Sequence, residues 1–192
     1  MLALSSLCLL MAAQVPATDY TKESERELLA RALDSKNSTS TALFEELGKR
    51  KTHDSLNALE GAFAELTALP AVRSAAKAFR HFKGIEGLER RTINVLYAAT
   101  QDVKQARARN ATTGLALFPV AAAAELKRLI DRSDDEVVRA EALAGLLPAM
   151  TANGDKRDFK KIVKNMRTTA TLTRAKCLKA FKGFIVPDKL SF

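Results

Sequence analysis

The chain has 192 residues, enough for one domain that buries a core without metal or disulfide staples. Hydrophobic residues make up 47%, led by alanine and leucine, with Trp absent, 8 Gly and 5 Pro. That composition favours helix and excludes a sheet protein built on Val/Ile/Thr alternation. The formal net charge of +9 is uneven: residues 155–192 hold 11 Lys/Arg against 3 Asp/Glu, and the 154 residues before them hold 20 against 19.

Leu2 to Ala13 carries no charge, and the first charged side chain is Asp19. This apolar run is too short for a bilayer span of ~20 residues but suits a signal-peptide core. Val15-Pro16-Ala17 supplies small residues for cleavage after Ala17. Residues 1–17 are therefore predicted to be a signal peptide, and the protein to be exported to a periplasm or beyond the cell. Cys8 lies within the run without lipoprotein spacing, because Ser5 and Leu7 occupy the decisive places. The mature chain keeps Cys177, expected to be buried beside Ala175 and Leu178.

Helical segments then follow one another. Thr21–Leu33 opens with Glu23, Glu25 and Glu27, acids that suit a helix N-terminus. It forms an N-terminal capping helix within residues 18–38, ahead of a repeat domain over 39–192. Ser38 to Thr41 caps a helix over Ala42–Leu47, which Gly48 is expected to end. Asp54–Leu66 places Leu56, Leu59, Phe63 and Leu66 at helical spacing. Pro70 opens Ala71–Phe82, and Gly84 stops it. Glu86–Ala99 and Val103–Phe118 follow, and Pro119 fits the first turn of Val120–Ile130. Ser133 and Glu136 read as a capping box for Val137–Met150. After the turn at Asn153-Gly154-Asp155 come Lys156–Met166 and Leu172–Ile185, for about ten helices in all.

Self-comparison finds four similar segments, opened by Arg73, Arg109, Arg139 and Arg174 at intervals of 36, 30 and 35 residues. Each arginine is followed by a small residue three positions on (Ala76, Thr112, Ala142, Cys177). A large apolar residue comes six or seven positions on (Phe79, Leu115, Leu146, Phe181). With Val138-Arg139-Ala140-Glu141-Ala142-Leu143 and Val72-Arg73 as its best copies, the pattern resembles the HEAT and HEAT-like repeat families, including the phycobilisome-lyase type. The resemblance covers about residues 40–186. It implies an all-α, right-handed α-solenoid of about four antiparallel hairpins, an armadillo-like scaffold that binds macromolecules.

Catalytic signatures are missing. Gly84 and Gly87 lack the context of a phosphate loop, and two histidines, His53 and His81, cannot build a His-rich metal site. His53, although next to Asp54, reads as a surface side chain. With only Tyr20 and Tyr97 beside the phenylalanines, base stacking of the kind used by helical DNA glycosylases is poorly supplied. Asn37 and Asn110 satisfy the glycosylation rule, which matters only in a eukaryotic secretory pathway. No cofactor is expected and the chain reads as a non-enzyme.

The charge carries the functional signal. Phe159, Ile162, Val163 and Met166 form one stripe of a helix, with Arg157, Lys160, Lys161, Lys164 and Arg167 on the other side. Lys176, Lys179 and Lys182 continue the basic surface on the next helix. The resemblance would put Arg157, Lys160, Lys161 and Lys164 on a concave face. These residues predict binding to a protein or another acidic macromolecule. The alternative is a nucleic-acid-binding HEAT-like module, which requires that the N-terminal run is retained.

Overall fold

The computed structural model describes residues 19–34 and 41–152, and there the chain is helical without a strand. Eight α-helices follow in order: α1 (Glu25–Leu33), α2 (Thr41–Arg50), α3 (His53–Glu65), α4 (Leu69–Ala78), α5 (Leu88–Ala99), α6 (Gln105–Leu115), α7 (Ala123–Arg132) and α8 (Glu136–Ala152). Short 3₁₀ turns precede α1 (Tyr20–Lys22) and follow α4 (Phe79–Phe82).

Local chemistry sets the boundaries. Ser24 and Glu27 form a reciprocal capping box at α1, and Thr52 and Ser55 form another at α3. Pro70 stands in the first turn of α4, where its missing N–H costs nothing. Gly84 and Gly87 both take φ 74°, a left-handed conformation that only glycine adopts freely, and they break the chain between the 3₁₀ turn and α5.

Three of the boundaries that differ from the sequence reading have a clear local cause. Gly48 does not end α2; the helix runs on to Arg50, and Lys51 takes the left-handed turn at φ 56°. The helix after Pro119 begins at Ala123, because the Ala122 N–H first closes a turn onto the Phe118 carbonyl at 2.8 Å. The cap of α8 is Asp135, whose Oδ1 accepts the Val137 N–H at 2.8 Å, in place of the Ser133–Glu136 box. Asp135 wins because its carboxylate already faces the helix N-terminus, while Ser133 Oγ accepts the Asp135 N–H.

Packing follows a simple rule. The even helices lie in succession, α2 on α4, α4 on α6 and α6 on α8, while α1 packs on α3 and α3 on α5. Each layer also meets the other through adjacent helices, chiefly α2 with α3, α5 with α6 and α7 with α8. Thr41 meets Ser74 and Glu45 meets Arg80, so α2 and α4 run the same way. One continuous core results, with Phe44, Phe63, Phe79, Phe82 and Phe118 among its largest members. Phe63 of α3 meets Phe79 edge to face, with ring centroids 5.6 Å apart.

The arginine segments fall on α4, α6 and α8. Their small residues Ala76, Thr112 and Ala142 and their large residues Phe79, Leu115 and Leu146 are all buried. At each even-helix junction a glycine lets two backbones touch. A Cβ on Gly48 would lie 2.6 Å from the Ala78 carbonyl oxygen, one on Gly114 3.0 Å from that of Ala76, and one on Gly145 2.5 Å from Ala116 Cβ. The fourth segment, at Arg174, lies outside the described residues, as do residues 1–17, the Asn153–Asp155 turn and the two helices expected after it.

Candidate functional site

The basic side chains singled out in the sequence, Arg157, Lys160, Lys161, Lys164, Arg167, Lys176, Lys179 and Lys182, lie outside the described residues, together with Cys177. The described residues hold a different candidate, formed by the turns that lead from odd helices to even ones.

Three contacts bring those turns together. Leu29 of α1 sits over Gly61 of α3, which brings the helix ends at Leu33 and Glu65 level. Arg107, in the first turn of α6, donates to the Leu66 carbonyl at the end of α3 (2.8 Å). Arg109 donates to Asp135 in the turn before α8 (2.8 Å). The end of α1 and the three following odd-to-even turns therefore share one edge.

Among the described residues, four of the five large exposed hydrophobic side chains lie on that edge. They are Leu33, Leu69, Val103 and Val137, 45, 55, 95 and 38% exposed. They recur at intervals of 36, 34 and 34 residues. The fifth, Val120, belongs to the turn between α6 and α7.

Beside Val103 a cleft of about 310 Å³ opens between the α5–α6 and α7–α8 turns, with Tyr97, Thr100, Asp102, Arg128, Arg132 and Asp134 in its wall. Arg128 and Arg132 stand one helical turn apart on α7, so both guanidinium groups reach the same space. Eight of the twelve described arginines bond a carboxylate or a carbonyl. Arg128 and Arg132 bond none among the described residues.

The cleft's other polar groups are mostly committed. Thr100 Oγ1 donates to the Tyr97 carbonyl and accepts from Gln101. Asp102 accepts the Lys104 N–H at 2.8 Å and Arg107 at 3.0 Å. The Lys104 N–H above all holds its carboxyl below the usual carboxylate range. At Asp135 burial pushes the pKa up, but the hydrogen bonds from Arg109 and the Val137 N–H outweigh it, and the net shift is downward. Asp134 is exposed at the rim.

Elsewhere ion pairs join helices two apart. Glu45 Oε2 of α2 accepts from Arg80 at 2.9 Å and from His81 Nε2 at 2.7 Å. Arg91 of α5 reaches Glu60 and Asn57 of α3. Arg90 reaches the buried Glu125 of α7 at 2.6 Å. Arg50 ties α2 to the Tyr20 and Glu23 carbonyls. His53 is exposed, as read from the sequence. The Asn110 site lies within α6, where Asn110 donates to the Ala106 carbonyl and Thr112 is fully buried, so it is no exposed loop.

Among the described residues no three His, Cys, Asp or Glu side chains are grouped to hold a metal ion, and no helix is long and apolar enough to cross a membrane. The sequence comparison missed the edge because it aligned arginines within helices. The signal was the recurrence of Leu or Val at or beside helix ends 34 to 36 residues apart. Compared with known proteins, the chain matches no family model, no curated protein and no solved structure.

Proposed function

We propose that the chain is an exported, non-enzymatic binding scaffold, a right-handed α-solenoid of HEAT-like hairpins with a basic C-terminal face for an acidic macromolecule. The observation that carries this reading is the placement of one pattern on alternate helices. Arg73, Arg109 and Arg139 open it on α4, α6 and α8, which pack in succession. Units that bury their apolar faces only against neighbouring units are the basis of a solenoid. The partner class rests on the excess of Lys and Arg in residues 155–192, and export rests on the uncharged Leu2–Ala13 run.

The test reverses Lys160, Lys161 and Lys164 to Glu and measures salt-dependent elution from immobilised polyglutamate and from duplex DNA. Reversal of the exposed Lys49, Lys77 and Lys83 serves as a control of equal charge change. Earlier elution from polyglutamate for the first set alone supports the reading; equal behaviour of the two sets removes it. Retention on DNA alone, by a chain that keeps its N-terminal run, favours the nucleic-acid module. Sequencing of secreted material is expected to begin at Thr18.

A further inference from the structure

We propose that the edge bearing Leu33, Leu69, Val103 and Val137 docks an extended acidic peptide, whose carboxylates enter the cleft between Arg128 and Arg132. Single exposed aliphatic residues are ordinary on a protein surface. These four differ because they recur once per pair of helices along one edge, next to a cleft with two unoccupied guanidinium groups.

The spacing suggests the form of the ligand. Packed helices lie about 8–10 Å apart, so the edge offers one aliphatic contact per roughly that distance. A polyproline-II chain repeats every three residues, at about 9 Å, and presents every third side chain on one side. About ten extended residues would reach all four positions.

Charge suggests its composition. Three other arginines near this edge are occupied, Arg107 by Asp102 and the Leu66 carbonyl, Arg109 by Asp135, and Arg139 by the Ser133 carbonyl, while Arg73, one turn past Leu69 on α4, is exposed and adds positive charge to the edge. Asp102 and Asp135 are correspondingly neutralised. Arg128 and Arg132 are left to meet carboxylates, while Asp134 at the rim and Glu65 disfavour long runs of acid and favour acids set among apolar residues. This surface is separate from the C-terminal basic face and shares with it only the acidic class of partner.

The experiment uses the full chain and a fluorescein-labelled peptide of about twelve residues repeating Leu-Glu-Pro, with a Leu-Lys-Pro counterpart, followed by fluorescence anisotropy. Saturable binding of the acidic peptide is expected. It should weaken about tenfold in Val103→Asp and in the double variant Arg128→Glu/Arg132→Glu, while reversal of Lys160, Lys161 and Lys164 leaves it in place. All three edge positions are exposed, so unchanged thermal unfolding of these variants separates docking from folding.

Affinity untouched by both edge variants, preference for the lysine peptide, or absence of saturable binding would each overturn the inference. So would an effect of Val103→Asp confined to sedimentation with phosphatidylglycerol vesicles or to self-association. Loss of binding only in the Lys160/Lys161/Lys164 variant also overturns it and leaves the proposed function standing.

Discussion

Gly145 of α8 and Ala116 at the end of α6 touch through their backbones: a Cβ on Gly145 would lie 2.5 Å from the Ala116 Cβ and 2.7 Å from its Cα. No rotamer change relieves an overlap with atoms fixed to the backbone. Alanine gains up to ~1 kcal/mol over glycine from helix propensity, whereas overpacking costs about 1–3 kcal/mol. Gly145→Ala is therefore expected to destabilise by about 1–2 kcal/mol net. Gly61, whose Cβ would meet only Leu29 methyls at 3.7 and 3.8 Å, is the matched control. Gly61→Ala should be neutral or stabilising. Urea denaturation of the two variants reads the difference in sign.

Thr92 on α5 is fully buried, and its Oγ1 has no hydrogen-bond partner among the described residues. A hydroxyl removed from water without a partner is unfavourable, and valine keeps the shape without it. Thr92→Val is expected to raise stability by about 1 kcal/mol. A calorimetric midpoint that falls in the variant would contradict this.

Asp102 and Asp135 hold their protons less tightly folded than unfolded. A depressed carboxyl pKa gives stability that is present above the unfolded value of about 4 and is lost as pH falls through the folded value. Stability should thus rise with pH across the acid range, starting below about pH 4. Asp135→Asn should flatten part of that rise and lose the pair with Arg109, which chemical denaturation at pH 3 and pH 7 would show.

Arg107 serves two receptors at once, the Asp102 carboxylate and the Leu66 carbonyl. Lysine keeps the charge but has no planar fork with which to meet both. Arg107→Lys should destabilise by about 1 kcal/mol, and Arg107→Ala by somewhat more. Hydrogen exchange of the α5–α6 turn should quicken in both, and an unchanged exchange rate there would discount the double contact.

Much of the helical content was legible because its signals are local. Leu56, Leu59 and Phe63 repeat at helical spacing, Pro70 marks a start, and Gly84 marks a stop through a positive φ. Gly48 misled because a glycine after ALFEEL looks like a terminator. Its reason for being there is the Ala78 carbonyl of a helix some thirty residues away. The capping box at Ser133 gave way to Asp135 for a similar reason, since Arg109 of α6 holds that carboxylate in place. His81 shows the same limit: its partner Glu45 lies 36 positions upstream. The cleft was hidden because Arg128 and Arg132 look like any solvated i, i+4 pair until the α5–α6 turn is set beside them.

Among the described residues no principal contact joins helices more than two apart in order. Closing such short loops is entropically cheap, and chains dominated by near-sequence contacts cross their folding barrier in microseconds to milliseconds. An emerging chain would therefore gain protection helix by helix as it is made, without waiting for its distant end.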